Sequence, residues 1–289
     1  MGHEPDLSFA VEPGPAALGS PSARVAAGHE PHAARGLYLP EPDFRYLFVR
    51  FGPSLGLWRA AEVAALREQQ ASFEHPVLDL GCGDGLVTSL VLPRVAIGVD
   101  PDGRALAKAA ALGAYERLRP VTIEDAQLPA GSMATILSNS VLEHVLQLDR
   151  ALAAAARVLR PGGRLIFTVP TDAFGSWLLL PSDGYAAWRN HQLAHLNLWP
   201  IERWNEHLAR AGLQIELVRP YLRRGLVRAW DALELLQQVR LGRWRAFGWF
   251  WRRLPAAVIT ALARRVARLD LAAPAPGGGR LLVARKVGP

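Results

Sequence analysis

Short apolar segments alternate with segments of helical periodicity through most of the chain. The helical spacing and its boundary signals predict helices at 53–70, from residue 86, and at 104–112, 142–159 and 201–211. The apolar runs predict strands at Val77–Leu80, Val95–Val99, Val121–Ile123, Thr135–Ser138, Arg164–Val169, Gln214–Val218 and Leu281–Ala284. Because strands that alternate with helices form parallel sheets, the pattern predicts an α/β fold with a doubly wound, mostly parallel sheet of seven strands.

Composition divides the chain into four regions. Residues 1–36 are rich in Pro, Gly, Ala and Ser without periodicity, which predicts a disordered tail. Residues 37–70 combine an aromatic stretch with a helical pattern and are interpreted as an N-terminal helical cap. The predicted core comprises 71–221 and 279–289, and residues 222–278 form a basic, tryptophan-rich helical insertion before the last strand.

A glycine-rich loop after the first predicted strand carries the strongest chemical signal. Glycine lets the backbone approach a ligand closely, and the following helix presents free N–H groups at its N-terminus. Asp100 follows Gly81 by about the 20 residues at which an acid meets ribose hydroxyls in nucleotide-binding sheets. The dinucleotide fingerprint requires glycine where Leu86 stands, and no Gly-Lys-Ser/Thr follows. Dinucleotide and triphosphate loops are therefore disfavoured.

The segment Val77–Gly85 resembles the first motif of class I S-adenosylmethionine-dependent methyltransferases. Four later segments resemble the other motifs of that family in order and spacing, namely Gly98–Asp100, Glu124–Pro129, Ser138–Val145 and Arg157–Gly163. Together they are similar to the methyltransferase type 11 branch, which includes many small-molecule and quinone-methylating enzymes. The resemblance covers residues 75–220 and the final strand, and it implies a Rossmann-like methyltransferase fold.

The same resemblance implies S-adenosylmethionine as cofactor and S-adenosylhomocysteine as product. It implies that Asp100 accepts hydrogen bonds from the ribose hydroxyls, that Asp79 lies near the cofactor ammonium group, and that Asp125 faces the adenine amino group. Ordinary loop roles are the alternative for these acids. The expected cofactor-binding residues are Tyr46, Asp79, Gly81, Cys82, Gly83, Gly85, Asp100, Pro101, Asp125, Ala126, Ser138 and Asn139. For Tyr46, in the aromatic stretch before the core, packing is an equally good explanation.

Three histidines are candidate catalytic residues. Methyl transfer from a sulfonium is an in-line displacement, for which a general base is optional. His144 follows the fourth predicted strand, near the expected position of the cofactor sulfur, and it could equally have a structural role. His191 and His195 are spaced to share one helix face before the sixth strand. Because no third ligand stands at a suitable spacing, no metal site is predicted.

The net charge of +7 is concentrated in the insertion. Between Leu222 and Asp270 eleven arginines face three acidic residues, a net charge of 11 − 3 = +8, so the remainder is 7 − 8 = −1. On a helical wheel Arg264, Arg265 and Arg268 lie opposite an apolar stripe formed by Val258, Ile259, Leu262, Val266 and Leu269. This pattern predicts a lid over the substrate pocket, a segment (222–272) that lies on an anionic membrane surface, or both.

Together these features predict S-adenosylmethionine-dependent methyl transfer to a hydrophobic small-molecule or lipid-linked acceptor, with oxygen favoured over carbon. Two alternatives remain: a non-catalytic scaffold or membrane-docking protein, and an RNA methyltransferase that uses the basic insertion. The fourth strand ends in Ser138-Asn139-Ser140-Val141, unlike the motif of amino-methylating nucleic-acid enzymes, so nucleic acid is disfavoured.

The expected compartment is the cytoplasm, with peripheral attachment to the cytoplasmic membrane face as an extension. The single cysteine, Cys82, excludes a disulfide framework within the chain. No apolar run approaches the roughly 20 residues of a membrane-spanning helix. The first residues lack the basic start and apolar segment of a secretory signal. The oligomeric state is left open.

Overall fold

The computed structural model describes residues 36–241 and 244–288, so the predicted disordered tail lies outside the described residues except for Gly36. The helices are α1 Glu41–Phe51, α2 Pro53–Glu68, α3 Leu86–Val91, α4 Gly103–Ala110, α5 Leu148–Val158, α6 Asp183–Gln192, α7 Ile201–Arg210, α8 Arg224–Gln238, α9 Ala246–Trp251 and α10 Ala256–Val266. The strands are β1 Val77–Leu80, β2 Ile97–Val99, β3 Leu118–Arg119, β4 Met133–Asn139, β5 Leu159–Pro170, β6 Leu213–Tyr221, β7 Arg240–Leu241, β8 Trp244–Arg245 and β9 Gly279–Lys286.

The main sheet has seven strands in the order β3-β2-β1-β4-β5-β9-β6. The first five are parallel, whereas β9 runs antiparallel to both β5 and β6. The predicted doubly wound, mostly parallel sheet is thereby confirmed. Since β1 lies between β2 and β4, the strand order reverses there, and a crevice opens at the carboxyl ends of these strands.

Apolar side chains cover both faces of the sheet. All four residues of β1 are buried, and successive side chains point to opposite faces. Val77 belongs to an apolar layer with α1, α2, α3 and α8, and Leu78 belongs to a layer with α5 and α7. A strand buried on both faces is typical of parallel sheets.

Two predicted elements are misplaced. The third strand is β3 at Leu118–Arg119, not Val121–Ile123: the Asp100 N–H donates to the Arg119 oxygen at 3.2 Å, and Pro120 follows without an N–H to donate. A strand at the edge of a sheet tolerates arginine. The more apolar segment Val121–Ile123 was therefore predicted as the strand in place of Leu118–Arg119. The helix predicted at 142–159 begins only at Leu148, and Leu142–His144 forms a separate 3₁₀ turn.

The cap and the insertion pack against each other. In the cap, α1 packs on α2, while in the insertion α8 packs on α2 and α10 packs on α1. The indole Nε1 of Trp251, at the end of α9, donates to the Phe48 oxygen at 3.1 Å and joins α9 to α1. Among the described helices none has the length and apolar character needed to cross a bilayer.

Candidate active site

The glycine loop follows β1 in a backbone conformation that favours glycine. Gly81, Gly83 and Gly85 have φ angles of 71°, 54° and 72°. A Cβ at Gly81 would lie 2.5 Å from the side chain of Val141, and a Cβ at Gly85 would lie 2.6 Å from the ring of Tyr115. At Gly83 a Cβ would meet nothing within 4 Å. The loop is therefore packed at both ends and open at its centre.

Asp100 connects β2 to the open part of the loop. The Gly83 N–H donates to its Oδ2 at 2.9 Å, and the Asp102 N–H donates to its Oδ1 at 2.8 Å. Each carboxylate oxygen keeps a second lone pair, so Asp100 can still accept from two hydroxyl groups. The neighbouring Pro101 is exposed.

Asp79 lies on β1 just before the loop, and Cys82 lies within the loop. Asp79 is buried and accepts a hydrogen bond from the hydroxyl of Tyr115 at 2.6 Å. Burial raises the pKa of Asp79 to about 6, against the lowering effect of that hydrogen bond. Burial also raises the pKa of the Cys82 thiol, which keeps it protonated and weakly nucleophilic.

The remaining expected cofactor residues differ in their surroundings. Asp125 is exposed and accepts from the Thr122 hydroxyl at 3.1 Å, whereas Ala126 is buried. The hydroxyl of Ser138 is buried without a hydrogen-bond partner among the described residues. Tyr46 lies on the outer face of α1 and is 44% exposed. Among the described residues no hydrogen bond or ring contact joins Tyr46 to the glycine loop, and its expected cofactor contact stays a prediction.

These observations fit S-adenosylmethionine. The open side of Gly83 leaves room for a ligand against the backbone, and Asp100 offers free lone pairs beside it. The unpartnered hydroxyl of Ser138, at the end of β4, offers a further polar contact. The three features meet at the crevice where the strand order reverses.

A pocket of about 150 Å³ opens beside this crevice. One wall consists of the rings of Trp58, Phe174 and Trp230, whose centroids lie 5.3 to 5.6 Å apart. Trp58 comes from α2 of the cap, and Trp230 comes from α8 of the insertion. The cap and the insertion therefore supply the apolar wall. In contrast, α10 packs on α1, so the stripe predicted to cover the pocket lies elsewhere.

Glu62 joins the cap to the core behind the pocket lining, through hydrogen bonds with pocket residues of both parts. Its fully buried carboxylate accepts from Trp58 Nε1 at 2.8 Å, Arg59 Nη1 at 2.7 Å and Asn139 Nδ2 at 3.0 Å. The Ser140 hydroxyl also donates to it. Four donors stabilise a buried charge that would otherwise be strongly unfavourable. Asn139 Oδ1 also accepts from the Thr168 hydroxyl at 2.8 Å, so both ends of its amide are hydrogen-bonded within the protein, and its expected cofactor contact stays a prediction.

Glu143, His144 and His195 form the polar side of the pocket. The His144 Nδ1 lies 2.9 Å from the Ala194 oxygen, and its Nε2 lies 3.7 Å from the Glu143 Oε1. The His195 ring centroid is 5.5 Å from that of His144. The Oε2 of Glu143 is buried and has no hydrogen-bond partner among the described residues.

Burial changes the protonation of this cluster. It raises the pKa of Glu143 to about 8, so the carboxyl is largely protonated at neutral pH. Burial, with the charges of His144 and Arg189, lowers the pKa of His195 to about 4, so this ring is neutral. Because the ligand atoms of Glu143, His144 and His195 lie within 4.8 Å of one another, they could also hold a divalent cation.

The predicted shared helix face of His191 and His195 is wrong. His191 is exposed in the last turn of α6, whereas His195 lies beyond its end, after Ala194, whose φ is 53°. That turn directs His195 into the pocket, and His191 does not line it. The structure brings together His144 and His195 of the three candidates.

Five residues in or next to the pocket were not predicted from the sequence, namely Trp58, Arg59, Glu62, Glu143 and Trp230. Trp58, Arg59 and Trp230 lie outside the motif-bearing core, so no family motif pointed to them. One signal was available: Glu62 interrupts a run of apolar residues on α2, and a buried acid needs partners. For Trp230 no local signal distinguishes the pocket wall from ordinary core.

Comparisons with known proteins agree with this architecture. The sequence model of a family described as a methyltransferase domain matches residues 56–218, more than half of the chain. The crystal structure of the 4+2 cyclase SpnF is similar in fold, with a TM-score of 0.53 and 19% sequence identity; the match covers 88% of each chain.

Two relatives are named ubiquinone biosynthesis O-methyltransferase. The protein from Agrobacterium fabrum is 37% identical over 93 residues, which cover 30% of this chain and 37% of the relative. The protein from Idiomarina loihiensis is 35% identical over 117 residues, which cover 37% of this chain and 47% of the relative. The chain thus spans less than half the length of each of these relatives.

Proposed function

The chain belongs to the class I S-adenosylmethionine-dependent methyltransferases, and on that premise we propose that it methylates an oxygen of a hydrophobic small-molecule or lipid-linked acceptor. The acceptor occupies the pocket between α2, α8 and the Glu143–His144 turn. One observation carries the proposal: a single pocket has an aromatic wall on one side and an acid with two histidines on the other. An amphiphile with an apolar body and one hydroxyl matches both sides.

The chain's own residues divide the work between cofactor and acceptor. Gly81, Gly83 and Asp100 are the residues that would hold S-adenosylmethionine, which supplies an electrophilic methyl group when bound. The rings of Trp58, Phe174 and Trp230 hold the apolar part of the acceptor and exclude water. Positioning and exclusion of water supply much of the rate of a displacement reaction.

His144 is the proposed base. Its Nδ1–H donates to the Ala194 oxygen, which leaves the lone pair of Nε2 free to accept the proton of the acceptor hydroxyl. His195 is less suitable, because a pKa of about 4 makes it about 300-fold weaker as a base than an ordinary histidine. His195 instead accepts or donates a hydrogen bond that orients the acceptor.

Glu143 assists by remaining neutral. Below its raised pKa of about 8 the carboxyl places an O–H, and not a negative charge, beside the oxygen that loses its proton. A carboxylate at this position would repel the developing oxyanion. The name shared by the two relatives, ubiquinone biosynthesis O-methyltransferase, supports both the oxygen and the apolar acceptor.

The test compares a phenolic acceptor that carries an isoprenoid chain, the same phenol without the chain, and total RNA. Each is incubated with the enzyme and methyl-tritiated S-adenosylmethionine, and transferred label is counted. We expect label in the chain-bearing phenol, with a KM at least about tenfold lower than for the bare phenol, since each buried CH₂ contributes ~0.8 kcal/mol. Label in RNA alone, or equal KM values for the two phenols, would overturn the proposal.

A further inference from the structure

Helix α10 leaves part of its apolar stripe uncovered. Ile259 and Ala263 are buried against the molecule, with 8% and 0% exposure. Val258 and Leu262, one helical turn apart, are 41% and 38% exposed. Leu269, just beyond the helix, is 39% exposed. The stripe is therefore divided between an inner edge that packs on the protein and an outer edge that faces solvent.

Three arginines lie on the polar side of this segment, and Arg265, seven residues after Val258, borders the uncovered edge. Residues 252–268 contain five arginines and no acidic residue. Arg264, Arg265 and Arg268 are exposed, and none of them forms an ion pair with a described acidic residue. Exposed cations close to exposed aliphatic side chains suit a ligand that is both anionic and apolar.

Helix α1, which packs against α10, also exposes apolar and basic side chains. On α1, Tyr46 and Val49 are 44% and 60% exposed, and the adjacent Arg45 and Arg50 are exposed as well. At the end of α9, Phe250 is 53% exposed next to Trp251, which is anchored on α1. Aromatic side chains of this kind are enriched at the headgroup level of membranes.

We propose that α10 docks on an anionic lipid bilayer through the α10 surface, defined as Val258, Leu262, Arg264, Arg265 and Arg268. The two aliphatic side chains enter the interface, and the three guanidinium groups meet headgroup phosphates. Charge complementarity selects the occupant, because aliphatic side chains add nothing to contacts with a nucleic-acid backbone, and three adjacent cations on each copy oppose self-association. The proposal does not depend on the identity of the acceptor.

The test is flotation of the full chain with vesicles of phosphatidylcholine alone or with added phosphatidylglycerol. Two variants remove one component each: Val258→Ser with Leu262→Ser, and Arg264→Gln with Arg265→Gln. Two matched controls lie on and after α4: Leu112→Ser, whose side chain has the same 38% exposure as Leu262, and Lys108→Gln with Arg117→Gln. Binding of S-adenosylhomocysteine and the circular dichroism spectrum check the fold of every variant.

The wild-type chain is expected to float with anionic vesicles and not with neutral ones. The arginine variant should lower the partition coefficient about 30-fold, because each arginine near the surface contributes ~1 kcal/mol. The aliphatic variant should lower it about tenfold or more, and the controls should leave it unchanged. The proposal would be overturned if the wild-type chain did not float with anionic vesicles. It would also be overturned if the control variants lowered the partition coefficient as much as the test variants do. The proposal would also be overturned if the wild-type chain did not bind vesicles but formed a dimer or bound RNA, and the same variants abolished that dimer or RNA binding.

Discussion

The Nδ1 atom of His144 lies 2.9 Å from the backbone oxygen of Ala194. Since a carbonyl oxygen only accepts, this contact requires the proton on Nδ1 and leaves a lone pair on Nε2 of a residue that lines the pocket. Asn197 holds the backbone on either side of His144 in place, because its Nδ2 donates to the oxygens of Leu142 and Val145, both at 2.8 Å. The loop after α6 therefore sets the tautomer of the proposed base.

Asp100→Asn should weaken the binding of S-adenosylhomocysteine about 10- to 100-fold. A hydrogen bond to a charged group contributes ~1.5–3 kcal/mol, and the amide keeps the shape of the side chain while losing its charge and one acceptor. Isothermal titration calorimetry measures the effect. Asp102→Asn is the matched control, because Asp102 caps α4 and asparagine caps a helix equally well. Equal affinities for the two variants would contradict the assigned role of Asp100.

Gly83→Ala should lower the affinity for S-adenosylhomocysteine by tenfold or more, about 1.4 kcal/mol. The added methyl group projects into the open centre of the loop, where the cofactor is expected. The control is Gly113→Ala, which has φ +69° against +54° at Gly83 and likewise meets no atom within 4 Å. Both variants lose ~1–2 kcal/mol of stability through backbone strain. An affinity that falls equally in both, or in neither, would contradict this position for the cofactor.

Glu143→Gln should remove a pH dependence of stability. The pKa of Glu143 is about 8 in the folded chain and near 4.5 when unfolded, so between these values the native state binds more protons. This stabilisation is complete below about pH 4.5 and is lost as the pH rises through about 8, by an amount on the order of a few kcal/mol.

Urea unfolding as a function of pH measures that effect. Glutamine is neutral throughout, so the stability of the variant relative to wild type should rise between pH ~5 and ~8.5. Glu206→Gln, at an exposed position of α7, should run parallel to wild type. Parallel curves for wild type and Glu143→Gln would show that Glu143 titrates normally.

Asp231→Asn should destabilise the chain by about 3–5 kcal/mol and raise the KM for the acceptor. Asp231 is fully buried 2.9 Å from the Arg189 Nε, and it accepts from the Tyr185 hydroxyl at 2.7 Å. Removing its charge leaves a buried guanidinium 5.3 Å from the ring of Trp230, so the pocket wall loses support. Asp183→Asn, exposed on the same helix as Arg189, is the control. An unchanged unfolding midpoint would contradict the role of this pair.

Local signals were sufficient for most of the fold. The strand β1 was predicted with its observed bounds, because its apolar residues, interrupted only by Asp79, end directly at the glycine loop. The strand β3 was misplaced because its pairing depends on backbone hydrogen bonds to β2, not on its arginine side chain. Pairing at a sheet edge is a tertiary property that a single segment does not reveal.

The pocket was harder to predict than the sheet, because it also depends on tertiary contacts between distant segments. His195 enters it because the chain reverses at Ala194, an alanine in a left-handed conformation that no glycine marks. Trp58 and Trp230 meet across 172 positions of sequence, so periodicity alone could not bring them together. The division of the α10 stripe likewise depends on where α1 packs.

Oxygen methylation with His144 as the base is tested by combining the identity of the product with a variant of the base. The methylated phenol is identified by mass spectrometry and NMR, and kcat is measured for wild type, His144→Gln and the exposed control His191→Gln. We expect a methyl ether, a loss of kcat of about 100-fold or more in His144→Gln with unchanged S-adenosylhomocysteine affinity, and no loss in His191→Gln. A carbon-methylated product, or equal kcat values for the two variants, would contradict it.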